Sequence, residues 1–243
     1  AGLISLRSVV RFHFPLPNFI MSKIIIITPA SRFKNLKILK KSINFNFIFK
    51  WIIIYDGNLI KNYFKQFEKI NQIEEFIYFP SINEIQGNGQ RNYALDHIKK
   101  NYSTECPFIY FLDDDNIIHP NFYKLISKFQ KNHMYTFDQQ RTRYILSGIK
   151  PKLYYIDQAM FISDFNIVRD IRFNSSTYNA DGSYIEECYK KNTKNHLYIN
   201  EVGSYYNYLR RNIIRRSYYI IYWFLKSLIL KINRKKIQKR LQP

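Results

Sequence analysis

Cysteine is nearly absent from this 243-residue chain: Cys106 and Cys188 stand far apart, with no CxxC pair and no histidine at zinc spacing. That excludes a disulfide framework and a structural zinc site, and it fits a reducing, cytosolic compartment. Glycine (7) and proline (8) are too scarce for a low-complexity chain. Long apolar runs are lacking as well. The best candidate, 217–230 (SYYIIYWFLKSLIL), falls short of the roughly 20 residues that span a bilayer and is interrupted by Lys226. Acidic side chains are missing after Glu201, whereas eleven of the 38 basic residues lie there, so much of the formal charge of +20 is concentrated in one tail. Such a tail points to an anionic surface. What remains, 46% hydrophobic residues with 21 Tyr and 20 Phe, is ample for one core domain plus an appendage. The Ile, Asn, Lys and Tyr bias resembles codon drift and carries no functional information.

The chain is organised around PFIYFLDDDNIIHPN, residues 107–121. Its β-prone run 108–112 reads as a buried strand that stops at Asp113, Asp114 and Asp115. Three adjacent carboxylates repel unless a cation or a set of donors faces them. Mg²⁺ or Mn²⁺ takes one or two protein carboxylates together with substrate phosphates. In an open α/β sheet the ligand crevice lies beyond the carboxyl ends of the strands, where this cluster falls. The alternative is an acidic turn capping a helix near His119.

Upstream, the continuous apolar runs 23–28 and 51–55 read as strands buried on both faces. With helices predicted over 35–42 and 59–70 and a third strand over 75–79, the order predicts a parallel α/β sheet with right-handed crossovers. The second strand ends in Asp56, a turn residue unless a ligand gives it more to do. The stretch QGNGQRNYAL, 86–95, places Gly87 and Gly89 ahead of a helix and Arg91 in its first turn. Backbone N–H groups and the helix dipole there suit an anion, although neither a Walker A loop nor GxGxxG is present.

Taken in order, ITPASR after the first strand, IIIYDG, GNGQRNYAL and FLDDDN resemble the nucleotide-sugar half of GT-A-fold, metal-dependent glycosyltransferases of the family-2 and glucuronyltransferase kinds. The resemblance covers residues 23–125 and, more loosely, 150–205. It implies a GT-A (Rossmann-like) mixed, mostly parallel sheet flanked by helices. By position it places Pro29, Ala30 and Arg32 along the nucleotide pocket, with Gly89 in the anion loop. Asp56 falls on the base, Arg91 on the diphosphate and Asp114 on the ribose or donor sugar. Asp113 and Asp115 form the Asp-x-Asp of the fold, Asp115 being the direct Mn²⁺ or Mg²⁺ ligand. The resemblance also puts a catalytic base at the start of a helix some 60 to 70 residues further on, the proton acceptor of an inverting transfer. Asp181 occupies that place, with Glu186 and Glu187 in reserve; Ser183 with Glu186 equally fits a capping box that only starts a helix. A late histidine, His196, is a further candidate metal ligand, or a structural residue.

Later segments are predicted as a helix over 121–130, polar strand over 135–149 with Arg141 and Arg143 as anion contacts or solvated charges, and extended chain over 154–161. Residues 1–20 precede Met21 and are expected to be unstructured or foreign to the native chain. The domain is expected over 21–205 and a basic amphipathic helix over 206–243, lying on an anionic membrane surface. The resulting expectation is a cytoplasmic, membrane-peripheral glycosyltransferase. It would use a nucleotide sugar such as a UDP-sugar, a glycan or lipid-linked acceptor and Mn²⁺ or Mg²⁺, in the synthesis of a bacterial surface polysaccharide or lipooligosaccharide, with no nucleic-acid partner. The alternatives are a sugar-1-phosphate nucleotidyltransferase, which should show a glycine-rich loop where ITPASRF stands, a basic nucleic-acid-binding protein, and an inactive membrane scaffold of the same fold.

Overall fold

The computed structural model describes residues 23–56, 73–80, 87–105, 107–174 and 176–210. The expected helix over 59–70, the leader and the tail beyond 210 lie outside these residues. Nine strands form one sheet: β1 Ile24–Ala30, β2 Ile48–Tyr55, β3 Glu74–Tyr78, β4 Phe108–Phe111, β5 Ile117–Ile118, β6 Met134–Gln140, β7 Ile145–Leu146, β8 Phe161–Asp164 and β9 His196–Tyr205. Their spatial order is β3-β2-β1-β4-β8-β6-β9-β5, with β7 on β6. Strands β3, β2, β1 and β4 are mutually parallel, β8 runs against β4 and β6, and β9 runs parallel to β6. The expected mixed, mostly parallel α/β sheet is what forms, its parallel pairings being the long ones.

The apolar run of β1 is continuous because both faces are covered. Ile24 and Ile26 point into a core shared with helix α1 (Phe33–Ser42), through Leu36 and Leu39, and with the short α3 (Phe122–Leu125). Ile25 and Ile27 point into a second core with α2 (Asn88–Asn101) and α5 (Ala180–Lys191), through Ala94, Ile98, Tyr184 and Ile185. Alternate residues of a strand face opposite sides, so a central strand between two helical layers has no solvent-facing position; its one polar side chain, Thr28, is buried and accepts from Trp51 Nε1 at 2.9 Å. Helix α1 shows the complementary pattern: Phe33, Leu36 and Leu39 are buried while Lys34, Lys37 and Lys41 face water.

This topology gathers the carboxyl ends of β1, β2, β4, β6 and β9 on one edge, together with the start of the antiparallel β8. Three expected elements differ. The helix over 121–130 is a single turn, α3, continued as a 3₁₀ turn over Ile126–Lys128. The 135–149 strand ends at Gln140, because Arg141 N donates to Tyr144 O and turns the chain. The extended run over 154–161 is broken by Tyr154 (φ 69°) and by Asp157, whose side chain accepts from Ala159 N and caps a 3₁₀ turn, Gln158–Met160. Strand β8 and helix α4 (Phe165–Val168) follow it.

Strand β9 carries two extra residues against β6 between Ile199 and Val202, after which Gly203 lies on the Phe137 ring. A Cβ at 203 would overlap that ring, so Gly203→Ala is expected to destabilise the domain by about 1–3 kcal/mol. Urea titration should show this as a lower midpoint at unchanged slope.

Candidate active site

A cavity of about 450 Å³ opens at the gathered edge of the sheet. Its floor is set by Asp114, only 1% exposed, whose oxygens are fully engaged. Asp114 Oδ2 accepts from Ser31 N (2.8 Å), Arg32 N (2.6 Å) and Ser31 Oγ (3.3 Å). Its Oδ1 accepts from Arg32 Nε (2.8 Å) and Arg32 Nη2. The middle aspartate therefore staples the loop after β1 to the loop after β4. Expected on the ribose or donor sugar, it lines the cavity with both oxygens already accepting from protein donors. Arg32 Nη2 also lies 3.0 Å from Asp115 Oδ2.

Arg91 comes from the first turn of α2. The turn begins at Gly87, in the left-handed region (φ 77°), where a Cβ would come within 2.9 Å of Pro29 Cβ. Glycine there lets the helix start against the β1 loop. Arg91 is 2% exposed; its Nη2 donates to Asp113 Oδ1 at 2.6 Å and its Nη1 to Asn88 Oδ1 at 3.2 Å. Nη1 is 3.9 Å from Asp181 Oδ1. Burial pulls this guanidinium's pKa down, but Asp113 and Asp181 outweigh burial and hold it above its ordinary value. The cation in the first helical turn, unfavourable toward the dipole alone, is thus held by two carboxylates.

Asp181 lies in the first turn of α5 and lines the same cavity. Its Oδ1 accepts from Gln158 Nε2, while Oδ2 has no protein partner among the described residues. Burial is the main cause that pushes its pKa up to about 7; Arg91 opposes, and Asp113 and Asp157 add. The capping-box alternative does not form: Ser183 Oγ donates to Asn179 O, and Glu186 accepts instead from Leu153 N at 3.0 Å.

The third wall, Asp157, Tyr206 and Asn207, consists of residues that sequence reading did not single out, with the anticipated Arg141 behind them. Asp157 faces the cavity, its pKa raised by burial and then by Asp113, against Gln139 and Arg141. Arg141 Nη2 lies 3.7 Å from Asp157 Oδ2, and its guanidinium sits 3.7 Å above the Tyr206 ring, so this charge is not simply solvated. Tyr206 and Asn207 line the cavity, with Asn207 N on Asn116 Oδ1 and Leu209 N on Asp115 O. Residues 206–209, placed in the tail by sequence, therefore pack on the domain. Gln90 and Gly87, rather than Gly89, reach the lining; Gly89 is buried in the helix turn behind it.

No protein-family model matches the chain, and no curated protein does. Among solved structures, a 4-diphosphocytidyl-2C-methyl-D-erythritol synthase from Anaerococcus prevotii superimposes with a TM-score of 0.51 at 14% identity, over 81% of this chain and 96% of that one. The chain shares with it a Rossmann-like mixed α/β fold. HddC from Yersinia pseudotuberculosis (TM-score 0.47, 11% identity, 74% of this chain and 91% of that one) resembles it more loosely. So does the inositol-1-phosphate CTP transferase from T. maritima (0.46, 10%, 76% and 89%).

Within this fold, Pro29, Ala30, Arg32, Asp56, Arg91, Asp113, Asp114, Asp115 and Asp181 converge on one cavity as a set. Besides Gly89, three expected residues do not. His196 starts β9 opposite Met134, at the other edge of the sheet, where its Nε2 meets Thr136 Oγ1 at 2.8 Å and burial lowers its pKa. It is a structural histidine. Glu186 pairs with Lys190 at 2.8 Å and Glu187 with Lys191 at 2.6 Å, both one turn or more past the cavity on α5. Neither lines the cavity, where a reserve base was expected.

Proposed function

We propose that this protein is an inverting glycosyltransferase that moves a sugar from a nucleotide-sugar donor, a UDP-sugar being the first to test, to a hydroxyl of a glycan or lipid-linked acceptor. The observation that carries the reading is Asp181: one oxygen held by the protein, the other turned to a cavity that also presents Arg91, Asp113 and Asp115. A carboxylate so placed takes the acceptor hydroxyl's proton while the hydroxyl oxygen attacks the anomeric carbon. Its raised pKa makes it a stronger base than an exposed aspartate. Arg91, fixed by burial and unable to deprotonate, supplies positive charge for the departing diphosphate.

The residues present also fit a divalent cation. Asp113 Oδ2 has no protein partner among the described residues, and Asp115 stands beside it, whereas Asp114 is consumed by Arg32 and the loop. No three His, Cys, Asp or Glu side chains come together to hold an ion among the described residues. The site thus fits the type in which one or two carboxylates are completed by phosphates and water. Bound there, Mn²⁺ or Mg²⁺ neutralises charge on the leaving diphosphate.

Nucleotidyl transfer, the alternative that the sequence left open, is the competing reading of the same fold. Phosphate-cradling loops use free backbone N–H groups, commonly on glycines. Here the loop after β1 contains no glycine, and Ser31 N and Arg32 N already donate to Asp114. That favours glycosyl transfer. A basic tail beyond 210 that rests on an anionic membrane would suit a lipid-linked acceptor of surface-glycan synthesis. No helix among the described residues is long and apolar enough to cross a membrane.

Thermal unfolding with a panel of nucleotides and nucleotide sugars, with and without Mn²⁺, tests the binding half. A ligand at about 100 times its Kd adds about 2.7 kcal/mol. A UDP-sugar should raise Tm only with Mn²⁺, and Asp115→Ala should abolish the rise. A shift of equal size without cation would remove the metal from the account.

A further inference from the structure

Asp181 is met from within the fold by an amide. Gln158 sits on the 3₁₀ turn before β8, 2% exposed, and its Nε2 donates to Asp181 Oδ1. That turn is pinned: Asp157 Oδ1 accepts from Ala159 N and from Gln139 Nε2, each at 3.0 Å. The other end of the amide, Gln158 Oε1, is buried with no hydrogen-bond partner among the described residues. Met or Leu would fill this core position without leaving a buried acceptor unpaired, an arrangement that proteins generally avoid. The hydrogen bond to Asp181 is the one service the side chain performs.

We propose that Gln158 is a positioning residue for the transfer: it holds Asp181 by Oδ1 so that Oδ2 meets the acceptor hydroxyl. The inference rests on Asp181 being the base. The acceptor O–H bond breaks and its proton passes to Oδ2. The electron pair left on the acceptor oxygen forms the new bond to the anomeric carbon, and the nucleoside diphosphate leaves with the electrons of the old one. A carboxylate gripped at one oxygen cannot rotate away from this line, and a donor on Oδ1 favours its charged form. Gln158 is neutral, so it does so without adding to the charges that already face Asp181: Arg91 from α2, Asp113 from the end of β4 and Asp157 from the turn before β8.

The test is Gln158→Met in the full chain, with Gln158→Glu as a second variant of nearly the same shape. Asp181 is followed by ¹³C NMR of labelled aspartate carboxyls, its resonance assigned by its loss in Asp181→Asn. In Gln158→Met the titration midpoint should rise by about one pH unit, since a donor to the charged form is gone. Turnover, read as UDP release from a UDP-sugar, should fall about ten- to a hundredfold in kcat with the donor KM within about twofold. In Gln158→Glu two carboxyls share a proton, and the single titration should split into two steps. An unmoved midpoint and kcat in folded Gln158→Met, with Asp181→Asn inactive, overturns the proposal alone. Full turnover in Asp181→Asn removes the base and the proposal with it.

Discussion

Asp181→Asn is expected to lower kcat by about 10²–10⁴-fold, the usual contribution of a positioned general base, while nucleotide binding persists. Asparagine keeps the shape and can still accept from Gln158, so the loss isolates proton transfer. The same variant should be more stable above neutral pH. An unfolded aspartate gives up its proton near pH 3.9, whereas the folded group holds it up to about 7. Between those values the folded chain binds the extra proton, so stability falls as pH rises through the window. Below pH 4 the group is neutral in both states. The Tm advantage of Asp181→Asn over the metal-free wild type should therefore open between about pH 4 and 7 and then stay level. A variant that loses both turnover and stability at pH 8 would mark Asp181 as a structural group instead.

The largest effect on stability belongs to the middle aspartate. Asp114→Ala removes the buried acceptor of two loop N–H groups and one of two carboxylates that hold the Arg32 guanidinium, which keeps Asp115 at 3.0 Å. Hydrogen bonds to a charged group contribute about 1.5–3 kcal/mol each, so losing the two loop bonds should lower Tm by roughly 10 °C in a chain of this size. Asp115→Ala leaves Asp114 as the acceptor of the two loop N–H groups and of Arg32, so it should cost less stability than Asp114→Ala and remove the Mn²⁺-dependent response to nucleotide. Differential scanning calorimetry of the two variants separates the roles. Equal losses of Tm would show that the three aspartates act as one structural cluster.

Much of this site was legible in sequence because parallel strands bring their carboxyl ends together. Once the runs ending at Ala30, Asp56 and Asp113 are read as neighbouring parallel strands, their terminal residues must share an edge. Arg91 followed from its place in the first turn of a helix after two glycines, and Asp181 from the resemblance alone. Division of labour within Asp113-Asp114-Asp115 was not legible, since adjacent residues of one type differ only in which partners the fold brings, and Arg32 reaches Asp114 from 82 residues away. Asp157 and Gln158 were hidden for a related reason. They precede a strand, and they reach the site only because β8 runs antiparallel to β4, a direction that no local pattern encodes. His196 failed in the opposite sense: β9 is parallel to β6, so its first residue lies at the far edge. Tyr206 and Asn207 were lost to a boundary drawn on composition, although Arg141 stacks on the one and Asn116 holds the other.

The central claim is the bond that breaks, and ³¹P NMR of the protein with Mg²⁺ and two substrate sets reads it directly. One set pairs nucleotide sugars with glycan and lipid-linked hydroxyl acceptors; the other pairs nucleoside triphosphates with sugar 1-phosphates. Glycosyl transfer predicts release of a nucleoside diphosphate from the first set, abolished in Asp181→Asn, and no reaction in the second. Pyrophosphate appearing from the second set, undiminished in Asp181→Asn, would contradict the account and make the protein a nucleotidyltransferase.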